Sequence, residues 1–246
     1  MTTDTLLQAH CLSGGYRKGM EILHDVSLTV MGGEAVGVVG LNGSGKSTLG
    51  KALIGALPYF SGDISLTWER RDGIIVTERI DGMSTMEIAR RGMVMMQQGG
   101  SVFRNLSVRD NIRMAFDREG VSKTKDLLYS MIPLLSDPRK AGVMADRLSG
   151  GERQALSLAM VLSGGPGLVI LDEPSAGLSP ADVNSTFSLL SALRGELGMS
   201  IILIEQNITR AVGFCDRCIL LESGRVVSEY CDKDIHQIED KLFNNY

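Results

Sequence analysis

Eight residues, GLNGSGKS (Gly40–Ser47), restrict what this chain can become more than any other stretch. They follow the apolar run EAVGVV (34–39) and precede a helical stretch, so a glycine-rich loop joins a buried strand to a helix N-terminus. In that setting the pattern GxxxxGK[ST] is a phosphate cradle. Glycines let backbone N–H groups curl around phosphate oxygens, the helix dipole adds its positive end, and a lysine reaches the β and γ phosphates. Here that lysine is Lys46, and Ser47 offers a hydroxyl to Mg²⁺. An ordinary strand-to-helix turn has no need of Lys followed by Ser. The candidate nucleotide contacts are therefore Gly40, Asn42, Gly43, Ser44, Gly45, Lys46, Ser47 and the adjoining Thr48.

Around this loop, short apolar runs alternate with amphipathic stretches: MVMM (93–96), LVIL (168–171), SIILI (200–204) and CILL (218–221). That pattern predicts an α/β fold with a mainly parallel sheet of buried strands joined by helices. A helix is expected from Ser47 to Leu57, stopped by Pro58, and another from Ser179-Pro180 toward Gly198, with Ser as N-cap and Pro in the first turn. The segments LLQAHCLSGGY, ILHDVSLTV and GDISLTW are β-rich and predict a flanking antiparallel β subdomain. Residues 66–81 read as an exposed hairpin around Asp72-Gly73, in which Trp68 packs and the Arg70-Arg71 pair is solvated. Between 105 and 165 strand-like runs vanish, which predicts an inserted helical subdomain. The expected organisation is one domain over 1–246, with the core and β subdomain in about 1–98 and 166–246 and the helical part in about 99–165.

Charge and composition narrow the partners. The net charge is −4 with Lys and Arg scattered, so no nucleic-acid partner is expected. No apolar run approaches the roughly 18 to 20 residues of a membrane span, and MTTDTLLQAH lacks a signal-peptide layout. A cytoplasmic location is expected, with any membrane attachment made through other proteins. Cys11, Cys215, Cys218 and Cys231 read as structural thiols; Cys215 and Cys218 form a CxxC with no second ligand pair. His10, His24 and His236 show no metal-ligand spacing.

A second chemical element is LVILDEP (168–174), which places Asp172 and Glu173 at the carboxyl end of a buried strand, where open α/β sheets hold their ligands. Asp172 suits Mg²⁺ and Glu173 suits a general base that polarises the attacking water. The third is LSGGERQ (148–154), in which Ser149 and Glu152 have capping-box spacing. A cap needs no pair of glycines, whereas an anion site at a helix head uses bare backbone N–H groups. Two anion-binding helix heads accompany one nucleotide loop.

The set GLNGSGKST, LSGGERQ and LVILDEP resembles the nucleotide-binding subunits of ABC transporters over nearly the whole chain. The resemblance implies an ABC-type P-loop NTPase core, ATP and Mg²⁺ as cofactors, and ATP hydrolysis. It implies a head-to-tail dimer with a second ABC ATPase subunit, in which Ser149, Gly150 and Gly151 complete the partner's γ-phosphate site. Two transmembrane permease subunits, and indirectly a solute-binding protein, are the further implied partners, which puts the chain on the inner face of the cell membrane. By the same resemblance Tyr16 stacks on adenine, and the glutamine after MVMM, with Gln98 favoured over Gln97, senses Mg²⁺ and the attacking water. Ser179 stands in SAGLSP (175–180) where many members carry Asp, and Gln206 in LIEQN (203–207) where most carry the histidine that contacts the γ-phosphate. A neutral amide donates a hydrogen bond there but cannot become an imidazolium. The EQN wording, with VFRNLSVRDNI (102–112) and PSAGLSP, resembles the ATPases of branched-chain amino acid and short-amide importers; the 66–81 hairpin and QQGG depart from them. The alternatives are a soluble ABC protein with no transport role and a regulatory subunit with weak hydrolysis.

Overall fold

A computed structural model describes residues 5–70, 72–116 and 122–231. His236 and Arg71 lie outside the described residues, as does the side chain of Cys231. Two sheets carry the fold. The larger contains β3 (Ala35–Val39), β6 (Met93–Met96), β7 (Leu168–Asp172), β8 (Ser200–Glu205), β9 (Arg217–Glu222) and β10 (Arg225–Cys231) in the order β10-β9-β3-β8-β7-β6. All of its pairings are parallel except β9 with β10. Every residue of β3, β7 and β8 is buried, as a sheet covered on both faces requires.

The two faces of these strands feed different cores. Val36 and Val38 face a cluster with β1 (Thr5–Gly15), β2 (Leu23–Met31), β4 (Tyr59–Glu69) and α1 (Lys46–Leu53). Ala35 and Val39 face the cluster that includes α6 (Gly150–Leu162), α7 (Pro180–Leu197) and α8 (Ile208–Phe214). On that second face, a Cβ at Gly37 would lie 2.5 Å from Cys218 Sγ and 3.4 Å from Cys215 Sγ. Both thiols are free and buried, and Cys215 and Cys218 pack in the core beneath the loop strand.

The smaller sheet is antiparallel, in the order β2-β1-β4-β5, with β5 at Ile75–Arg79. The turn between β4 and β5 makes the expected hairpin, and Trp68 is held on it: its indole N–H donates to Glu78 Oε1 at 2.8 Å, and the Arg91 guanidinium lies 5.6 Å from its ring. Between Gly99 and Gly165 the regular elements are helices: α3 (Val108–Phe116), α4 (Ser122–Met131), α5 (Pro133–Ser136) and α6. Ser179 caps α7 with Pro180 in its first turn, and Gly198 ends it in the left-handed region. No helix of the described residues is long and apolar enough to cross a membrane.

One helix end departs from expectation. Instead of reaching Leu57 before Pro58, α1 stops at Leu53 because Gly55 adopts φ 69°. Its N–H bonds the Ala52 carbonyl at 3.1 Å and that of Ala56 bonds Lys51 at 2.8 Å, the paired bonds that close a helix on a left-handed residue. The stop comes from glycine's access to φ > 0, four residues before proline's missing N–H would enforce it.

Candidate active site

Strand register sets the site. Val39 pairs with Glu205 and Asp172 with Ile204, so the carboxyl ends of β3, β7 and β8 finish at one level. Gly40, Glu173 and Gln206 each continue from that level, and Gln98 leaves the end of the neighbouring β6.

The loop after β3 passes under the Leu221 carbonyl so closely that any side chain at Gly40 would collide with it, and its φ of 154° suits glycine. Gly45, at the head of α1, gives the helix no side-chain cap. Lys46 is 5% exposed and bends back, donating to the carbonyls of Gly40 at 2.8 Å and Leu41 at 3.0 Å. Burial pulls its ammonium below the usual lysine range, while the carboxylates of Glu173, Asp172 and Glu205 oppose that fall. The buried Ser44 hydroxyl has no partner among the described residues. A buried polar atom left unpaired is costly, and a phosphate oxygen in the cradle would satisfy it.

Ser47 Oγ donates to Asp172 Oδ1 at 3.0 Å. Burial lifts the Asp172 carboxyl above its usual range, opposed chiefly by that hydrogen bond. A hydroxyl and one carboxylate are hard oxygen donors of the kind Mg²⁺ takes when phosphates supply the rest of its shell, so the residues fit that ion. The next residue, Glu173, has φ 46°, left-handed backbone that costs a non-glycine residue about 1 to 3 kcal/mol. The Gln98 side-chain amide donates to Glu173 Oε2 at 2.7 Å, so of the two adjacent glutamines it is Gln98 that reaches Glu173. Gln206 is exposed on the wall of a cavity of about 510 Å³ shared with Glu173, Ser175, Glu205, Asn207 and Arg210.

Two predicted residues lie farther out. Tyr16 is 42% exposed beside α1, its hydroxyl 3.4 Å from Thr48 Oγ1 and its ring 5.2 Å from the Lys51 ammonium. Ser149 caps α6: its hydroxyl accepts from the Glu152 N–H at 3.1 Å while Glu152 Oε2 accepts from the Ser149 N–H at 3.0 Å. Gly151 packs so tightly on Asp182 of α7 that a Cβ would collide with its carboxylate. Asn42 and Gly43 are exposed at the rim of the phosphate loop.

The structure also brings in residues the motifs did not flag. Asn111, fully buried in α3, accepts from the Phe103 N–H at 2.8 Å and donates to the carbonyls of Phe103, Leu106 and Ser107. Ser157 of α6 accepts from the Ser101 N–H at 2.7 Å. Together they pin the stretch that follows Gln98 to the helices. Asn at an apolar helix position was a visible signal, since a buried amide must find partners.

A glycine-rich loop on a helix head, with a carboxylate pair at the end of a neighbouring strand, defines a P-loop nucleoside triphosphatase. Residues 23–176 match the family described as ABC transporter. The high-affinity branched-chain amino acid transport ATP-binding protein BraG of Pseudomonas aeruginosa is 36% identical over 217 residues, covering 86% of this chain and 87% of that protein. The lipopolysaccharide export system ATP-binding protein LptB of Escherichia coli is 30% identical over 236 residues, 95% of this chain and 93% of that protein. A dimeric ATP-binding cassette solved in a post-hydrolysis state with ADP and Pi superposes with a TM-score of 0.74 at 23% identity, over 93% of this chain and 99% of that one, a likeness of fold. The chain belongs to the ABC transporter family, as an ATP-binding subunit that hydrolyses ATP.

Proposed function

We propose that this chain powers an importer whose solutes are branched-chain amino acids or related short amides. The observation that carries the reading is the BraG likeness at 36% identity, in line with the EQN wording at Gln206. The chain works as one nucleotide-binding domain, paired head to tail with a second ABC ATPase subunit at the inner face of the membrane. Two permease subunits supply the path, and a solute-binding protein delivers to them. The dimeric cassette of the same fold supports the pairing.

In this reading Tyr16 stacks on adenine, while the backbone of Gly40–Gly45 and the Lys46 ammonium hold the phosphates. Ser47, Asp172 and Gln98 are the residues that hold Mg²⁺, which neutralises charge on the phosphates when bound. Glu173 accepts the proton of the attacking water as general base, a role typically worth about 10² to 10⁴ in rate. Its backbone is left-handed, and its carboxylate accepts from the Gln98 amide. Gln206 donates an amide hydrogen bond to the γ-phosphate. Ser149, Gly150 and Gly151 of each subunit close over the nucleotide of the other.

Export is the competing reading, favoured by the LptB likeness at 30% identity over 95% of the chain. Reconstitution of the chain with the membrane subunits that co-purify with it separates the two. Uptake of labelled leucine into proteoliposomes that stops without ATP is the expected result. ATP-dependent extraction of lipid from the bilayer with no leucine uptake would replace import by export.

A further inference from the structure

Past the carboxylate pair lies a polar chain, buried at Ser175 and Glu205, that neither the loop, the acidic pair nor the signature helix accounts for. Ser175 Oγ donates to Glu205 Oε1 at 2.6 Å and accepts from Arg210 Nη1 at 2.6 Å. Glu205 is 3% exposed and ends β8; Ser175 is 8% exposed and lies two residues past Glu173. Arg210 comes from α8, where its guanidinium lies 5.9 Å from the Phe187 ring, and its backbone N–H is capped by Asn207 Oδ1 at 2.9 Å. Packing alone has no use for a carboxylate here, because burying one is expensive unless it is paired and hydrogen-bonded.

The location explains the expense. The chain bridges the segment leaving β7, which bears Glu173, to the segment leaving β8, which bears Gln206, and both line one cavity. Glu173 sits in left-handed backbone, and such a conformation persists only where its surroundings over-determine it. A single backbone bond, Glu173 N–H to the Ile204 carbonyl at 2.9 Å, joins the two segments at the strand ends. Ser175 with Glu205 supplies a second tie one turn later, and Arg210 a third into α8. We infer that Arg210, acting through Ser175 and Glu205, is a positioning residue that sets the Glu173 carboxylate and the Gln206 amide at a fixed spacing for hydrolysis. This rests on the reading of Glu173 as the base.

The test uses the ATPase assembled with its membrane subunits. Ser175→Ala is expected to lower kcat about 10- to 100-fold, the loss that a misplacement of about 1 Å produces, while KM for ATP stays within about twofold. Ser175→Thr, which keeps the hydroxyl, restores most of kcat. Arg210→Met lowers kcat in the same way, and the Ser175→Ala/Arg210→Met double variant is no slower than the poorer single, since both cut one chain. Unchanged kcat in Ser175→Ala overturns the inference, as does a kcat loss that Ser175→Thr fails to rescue or that multiplies in the double variant. Glu173→Gln keeps the two readings apart. An inactive Glu173→Gln beside a fully active Ser175→Ala sinks the positioning chain alone; a fully active Glu173→Gln removes the base and this inference with it.

Discussion

Two helix heads in this molecule use the same device in opposite states of completion. At α1 the N-cap is a glycine with no side-chain acceptor, the Ser44 hydroxyl is buried without a partner among the described residues, and the buried Lys46 hangs its ammonium on two loop carbonyls. At α6 the capping box is closed in both directions, and Glu152 is further neutralised by Lys140 at 2.6 Å. The first head is electrostatically unfinished without an anion. The second has its Ser149 and Glu152 N–H groups already occupied by the cap, so an external phosphate there would meet the N–H groups of Gly150 and Gly151. An open head favours an anion on its own account, whereas a head partly closed by its own cap has fewer N–H groups left to offer one.

The largest expected break in this contrast is Lys46→Ala. Removing the one buried cation at α1 should cut hydrolysis about 10²- to 10³-fold, as loss of a single preorganised donor does, and should weaken ATP binding to the isolated chain. Nucleotide titration of the separate subunit reads the binding, and wild-type affinity there would show that the loop backbone suffices without the lysine. Next comes Ser149→Ala. Loss of the cap costs about 1 kcal/mol, seen as a fall of about 2 to 4 °C in Tm of the separate chain. ATP binding to that chain stays at the wild-type level while hydrolysis by the assembled dimer drops; equal loss of binding in the separate chain would place both heads on one nucleotide.

The smallest effect concerns the carboxylate nearest the loop lysine from β8. Burial holds the Glu205 carboxyl above its ordinary value of 4.5, with Ser175 and Arg210 opposing. The folded chain therefore keeps this proton to higher pH than the unfolded chain. Stability from that preference is present below 4.5 and is lost as pH rises through the folded value. Glu205→Gln removes this falling component, so urea midpoints of the nucleotide-free chain should decline less between the ordinary glutamate range and neutrality than those of the wild type. Parallel pH curves would show that Arg210 compensates the buried charge fully.

Much of the site was readable as text because its parts are contiguous. GLNGSGKS, LVILDE and LSGGERQ each carry their chemistry within a few residues, and alternating apolar runs told the buried strands from the helices between them. The hairpin with its packed Trp68 and the capped start of α7 followed from local turn and cap chemistry in the same way. What stayed illegible depends on atoms far apart in the chain. The sequence favoured Gln98 over Gln97 only by resemblance; the contact of its amide with Glu173 depends on β6 and β7 being paired. Ser175 and Glu205 lie in stretches read for other residues, Arg210 in a helix with no motif, and Gly37 looks like a loose strand residue until two thiols are packed on it. The α1 boundary failed for a subtler reason: proline was the more conspicuous stop, but glycine three residues nearer acted first.

By itself, the sequence determined which backbone could cradle a phosphate, which strand ends in carboxylates and which helix caps itself, because those properties are set by neighbours within one or two turns. Tertiary structure alone decided the level at which β3, β7 and β8 end, the left-handed backbone at Glu173, and the polar chain from Arg210 to Glu205. Those depend on strand register and burial, which bring together groups that sequence distance keeps apart and make a charge costly or useful according to what surrounds it.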